Sequence, residues 1–139
     1  MTRNDYFTPT ENFFPTQPNP TEKLKSKKGD CVIRAFALSA GIDWLQAFDL
    51  LVENARQTYN AMNDNINVHQ TLLKYGYEYT PAKAEKGKKR LDVATFCKKN
   101  PKGRFVLVVA NHHTAVVDGI IRDTWNTSKC CVYRIYRLK

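Results

Sequence analysis

The hydrophobic period of this chain changes once, close to Pro101, and that change restricts the folds open to it. Before Pro101, apolar residues recur at helical steps. Leu45, Phe48, Val52, Ala55 and Tyr59 follow at spacings of 3, 4, 3 and 4, the 3.6-residue period of one helix face. After Pro101 the apolar runs are short and β-branched. Residues 104–110, RFVLVVA, read as a central strand, and residues 131–136, CVYRIY, as a further one. Helices that come first and strands that come last segregate into an α+β fold, with N-terminal helices packed on a C-terminal antiparallel β-sheet.

Caps and turns set the expected boundaries. Asp30 is placed to cap a first helix that starts at Cys31, buries Val32, Ala35, Phe36 and Ser39, and stops at Gly41. Asp43 caps a second helix. Asn67 caps a short third one over 68–75, ended by Gly76. Residues 82–90 form a basic loop, and Asp92 caps a fourth helix over 93–100, closed by Pro101. Asp118-Gly119, between the runs 112–117 and 120–124, is the signal for a type I′ hairpin.

Residues 1–29 differ from the rest. They hold four of the six prolines (Pro9, Pro15, Pro18 and Pro20), which disfavours helix and central strand. The expectation is an extended N-terminal arm over 1–29 and a single domain over 30–139. Phe7, Phe13 and Phe14 are candidates to pin the arm, and Lys23, Lys25, Lys27 and Lys28 form a solvated approach to Gly29. The length of 139 residues suits one domain. No apolar run reaches the ~18 residues needed to cross a bilayer. The first twenty residues lack the apolar centre of a secretory signal. A cytoplasmic protein without a membrane segment is therefore expected.

Cysteines stand at 31, 97, 130 and 131, and histidines at 69, 112 and 113. No CxxC or second short-spaced ligand pair is present, so neither a metal nor another cofactor is expected. Disulfides are not expected in the cytoplasm. Cys97, beside Phe96, reads as packing and His69 as a surface residue. Cys130 and Cys131 are adjacent on a strand, point to opposite faces, and are not expected to bridge. Cys31 stands apart, because the positive end of a helix favours the thiolate. The competing reading of Cys31 is a small buried hydrophobe.

Hairpin geometry adds a second element. With Asp118 and Gly119 as the two loop residues, Val117 opposes Ile120, Thr114 opposes Asp123 and His112 opposes Trp125. Opposed residues share a face, as do residues two apart on a strand, so His112 is a diagonal neighbour of Asp123. His113 falls on the other face and reaches Asp123 only if a bulge shifts the register by one. A nucleophile, a base and an acid that orients the base can then meet. Cys31 is the nucleophile, His112 takes and returns the proton, and Asp123 fixes the imidazole tautomer. The backbone amide of Cys31 is a candidate oxyanion donor.

Residues 29–35, GDCVIRA, together with His112-His113-Thr114-Ala115-Val116-Val117 and Asp123-Thr124-Trp125-Asn126, resemble the papain-like cysteine peptidase superfamily. The nearest likeness is to its small phage and bacterial members related to the double-glycine leader peptidases of bacteriocin export. The resemblance spans 29–126, and the chain order Cys, His, Asp matches. It implies a cysteine helix packed against an antiparallel sheet with the active site between them. It also implies a phage- or prophage-encoded cysteine hydrolase, acting in the cytoplasm on a peptide or protein substrate through Cys31, His112 and Asp123, with His113 as the alternative base. The family usually carries a Gln about six residues before the cysteine; that position here is Lys25, and Gln17 or Asn19 would substitute only if the arm folds back.

Arg34, one turn after Cys31, is a candidate for substrate contact or for a structural ion pair. Trp125 either shields the His–Asp pair from water or belongs to the core, and core is the expectation. A second functional class remains open. The chain carries a net charge of +9, and residues 83–104 alone contribute +7 of it. A catalytically inactive domain of this fold could use that surface to bind nucleic acid or an acidic host protein. Against nucleic acid, no aromatic residue interleaves with 83–90 to stack on bases. A solvated, steering face is the simpler reading of the charge.

Overall fold

A computed structural model describes residues 6–9 and 30–139. In chain order the elements are β1 (Phe7–Pro9), α1 (Cys31–Ala40), α2 (Trp44–Thr58), α3 (Asn65–Tyr75), β2 (Tyr77–Pro81), α4 (Val93–Lys99), β3 (Arg104–Val109), β4 (His112–Val117), β5 (Ile120–Asp123) and β6 (Arg134–Leu138). The fold is α+β. Six strands form one sheet in the order β1-β5-β4-β3-β6-β2. The sheet is mixed rather than purely antiparallel, because β1 runs parallel to β5, with Phe7 opposite Ile121 and Pro9 opposite Asp123. Proline is tolerated there because β1 is an edge strand. Phe7 thus pins the start of the chain to the sheet, while Phe13, Phe14 and the lysines at 23–28 lie outside the described residues.

Helices cover both faces of the sheet. Side chains alternate across β4. Ala115 packs with Val106, Tyr136 and residues of α1, α2 and α3, including Phe36, Leu51 and Leu72. Val116 packs with Leu107, Ile121 and, from α4, Val93, Phe96 and Cys97. Helix α1 is therefore buried nearly all round, as its apolar composition requires.

The expected boundaries hold where the signal is local. Gly41 ends α1 in the left-handed region at φ 70°. The Asp92 carboxylate accepts from the Thr95 amide to cap α4. The hairpin has the anticipated register, Val117 opposite Ile120, and both Asp118 and Gly119 have positive φ, as a type I′ turn needs. Four details differ. Helix α3 begins at Asn65 under an Asp64 cap; Asn67 lies inside it, fully buried, and donates to the carbonyls of Leu51 and Met62. The last strand starts at Arg134, because Leu91 to Val93 pair with Cys130 to Val132 in a separate short ladder. His69 is half-buried, bonded to the Tyr136 hydroxyl and set edge-on to Tyr79.

The fourth difference is the phase of α2. Its buried face is Trp44, Ala47, Leu51, Asn54 and Ala55, while Leu45 is 60% exposed and Tyr59 97% exposed. Leu51→Ala is accordingly expected to cost about 2–5 kcal/mol in urea unfolding. Leu45→Ala should stay within about 0.5 kcal/mol. The reverse ranking would mean that the helix is rotated by a residue.

Candidate active site

Cys31 is the first residue of α1, at the end of the helix where backbone amides lack intrahelical partners and the dipole is positive. The residue before it takes the N-cap position, as expected, but its side chain does not cap the helix. Asp30 has φ −99° and ψ 28° and no side-chain capping bond. Its carboxylate instead accepts from the Arg34 guanidinium and, at 2.9 Å, from Trp44 Nε1. Both Asp30 and Arg34 are buried. This anchor fixes the start of α1 against α2.

The other half of the site lies at the mouth of the hairpin. His112 opens β4 and Asp123 closes β5. His112 Nε2 meets Asp123 Oδ2 at 2.7 Å, the diagonal pair the register predicts. The same oxygen accepts from Thr114 Oγ1 at 2.6 Å, while Oδ1 accepts from Arg34 Nη2 at 2.9 Å and from the Thr124 amide at 2.6 Å. Burial opposes the Asp123 charge, but the His112 and Thr114 hydrogen bonds outweigh it and hold the carboxyl below the usual range. Arg34 therefore joins the two halves, Asp30 at the helix and Asp123 at the sheet. It serves as a structural ion pair, not as a group facing substrate. Trp125 is not in the core: it is 46% exposed, and its ring covers His112 at a centroid distance of 5.0 Å.

Cys31 lies beside both imidazoles. Burial disfavours its thiolate, but interactions with the rings of His112 and His113 and with the His113 backbone reverse this and lower the pKa to about 5. Burial likewise disfavours His112 as a cation, yet its hydrogen bond to Asp123 and its contact with Cys31 raise it to about 9. Because Nε2 is engaged by Asp123, Nδ1 is the ring nitrogen left to serve the thiol. The pair thus favours thiolate and imidazolium between about pH 5 and 9. Cys97 and Cys130 behave oppositely. Burial and the charge of Asp92 push Cys97 up to about 12, and burial also raises Cys130.

The part played by His113 was not legible in the sequence. Strand alternation does place it on the α1 side, with Ala115, but only the docking of α1 brings it to Cys31. All three residues, Cys31, His112 and His113, line one cavity of about 580 Å³, completed by Met62, Asn63, Asn65, Asn111, Tyr133 and Arg134 among others. Lys25, Gln17 and Asn19, the positions bearing on a side-chain oxyanion donor, lie outside the described residues. Among the described residues no cluster of three or more metal-ligating side chains occurs, and no single helix is long and apolar enough to cross a membrane. No family model, curated protein or solved structure matches this chain.

Proposed function

We propose that this chain is a papain-like cysteine hydrolase, of peptidase or isopeptidase type, working through Cys31, His112 and Asp123. One observation carries the reading: a helix-terminal cysteine and the histidine of a His–Asp pair, far apart in sequence, meet at a single cavity. The substrate of this reading is a peptide or protein, and the resemblance to small phage and bacterial members supports a cytoplasmic role in the cell that makes it.

The chemistry follows from the charge states. The Cys31 thiolate attacks the carbonyl carbon of the scissile amide, and the Cys31 backbone amide at the helix start donates to the oxyanion. The C–N bond then breaks, and the leaving nitrogen takes the proton held by His112. A thioester remains. Water attacks it after giving a proton to His112, the C–S bond breaks, and Cys31 leaves as thiolate. Asp123 keeps His112 in the tautomer that presents Nδ1 and stabilises its cationic form.

Incubation with a peptide library, read by mass spectrometry for new termini, tests this. The wild-type protein should generate termini that Cys31→Ala does not, and His112→Ala should slow their formation by about 10³-fold or more. No Cys31-dependent termini would contradict the proposal and favour the inactive, basic binding domain.

A further inference from the structure

The charges around the cavity are not balanced. Of the charged groups lining it, Asp30 is bound to Arg34 and Trp44, and His112 to Asp123. With the Cys31 thiolate offset by the His112 imidazolium, Arg134 is the remaining charge. It is exposed at the start of β6 and hydrogen-bonds the Tyr136 hydroxyl, which burial keeps neutral with a pKa raised to about 12, so this bond leaves the guanidinium charge in place. The amides of Asn63, Asn65 and Asn111 at the rim supply donors and acceptors of the kind a peptide backbone uses.

The positive surface continues outward from there. Arg90 donates to the Ala82 carbonyl and places its guanidinium 4.5 Å over the ring of Tyr133, which itself lines the cavity. Arg90 also lines a second cleft, of about 470 Å³, with Lys83, Lys88, Lys89 and Lys99. Of the two acidic groups in that cleft, Glu85 pairs with Lys88 at 3.0 Å and the Asp92 carboxylate caps α4. Lys83, Lys89 and Lys99 are left to set its sign. The arginine–tyrosine contact thus joins the reactive cavity to a basic cleft.

We propose that the site takes an acidic polypeptide segment, with Asp or Glu side chains flanking the scissile bond met by Arg134 and by the lysines of the adjoining cleft. The inference rests on the cysteine hydrolase reading. It gives the charge of +9 a role in substrate choice, in keeping with the attraction of a charged cleft for an oppositely charged ligand.

The test uses the full chain and two peptidyl acyloxymethyl ketones, one with Glu and one with Lys at the residues flanking the reactive ketone. The Cys31 thiolate displaces the carboxylate of either probe and forms a thioether, read by intact mass and peptide mapping. Iodoacetamide serves as an uncharged reference on the same preparation. At low salt the acidic probe should modify Cys31 about 10-fold faster or more than the basic one. The advantage should shrink as ionic strength rises and fall in Arg134→Gln and in the double variant Lys89→Gln/Lys99→Gln. Equal rates for the two probes, with Cys31 still labelled by iodoacetamide, overturn the inference and leave the hydrolase reading standing. Failure of every reagent to label Cys31 selectively overturns the hydrolase reading itself. Salt-sensitive retention of a single-stranded oligonucleotide, lost in the double lysine variant and accompanied by no acidic preference, also overturns the inference and assigns the cleft to nucleic acid.

Discussion

Arg34→Met is expected to destabilise the fold by about 3–5 kcal/mol, as removal of one partner from a buried charge network does. The guanidinium lies between two carboxylates that are themselves buried, Asp30 at 8% exposure and Asp123 at 1%. Asp123 keeps Thr114, Thr124 and the His112 cation as partners, but Asp30 keeps only Trp44 and loses its neighbouring positive charge. Arg34→Lys should recover only part of the loss, because an ammonium lacks the planar fork that reaches two carboxylates together. Urea unfolding followed by tryptophan fluorescence measures this directly, since Trp44 is buried against Asp30. A loss below about 1 kcal/mol in the methionine variant would show that the network is dispensable to the fold.

What the sequence could and could not disclose follows from how local each determinant is. The hairpin register needs only the Asp118-Gly119 turn and the alternation of a strand, so the His112–Asp123 contact was readable from about a dozen residues. The role of Arg34 was not, because its bond to Asp123 joins positions 89 residues apart. Asp30 reads as an ordinary side-chain cap because that role needs only its place before Cys31, whereas its bonds to Arg34 and Trp44 depend on how α1 and α2 pack. In α2 two helical stripes compete, and the choice between Leu45 and Trp44 was settled by the indole reaching Asp30 and by Asn54 binding Asn67. Strand β2 is not legible in the sequence because its YEYTP segment is polar, ends in proline and acquires a partner only in the distant β6. Helix α4 crosses to the far face because β3, β4 and β5 expose a second apolar surface that α1 does not reach.

The second large effect concerns the protonation of Cys31. Alkylation of this thiol should rise with pH to half its maximum near pH 5 and then hold a plateau until about pH 9, where His112 gives up its proton. Burial alone would raise the thiol; the two histidines lower it, with the His112 ring contributing most. His112→Ala removes that contribution and leaves burial opposed by His113 alone. The midpoint should therefore move up by roughly 2 units or more. His113→Ala should move it less, because the His112–Asp123 pair survives. An upward shift in His113→Ala but not in His112→Ala would exchange the roles of the two histidines. No shift in either would separate the thiol from both.

The most direct test of the reactive-thiolate account is site-resolved alkylation of the wild-type protein with iodoacetamide at pH 6, followed by peptide mapping of all four cysteines. Cys31 should be modified first and singly. Cys97 is buried with its pKa pushed up to about 12, and burial also raises Cys130. Modification of Cys31 well before Cys97, Cys130 and Cys131 is the predicted result; modification of Cys31 no faster than Cys130 or Cys131 would contradict it.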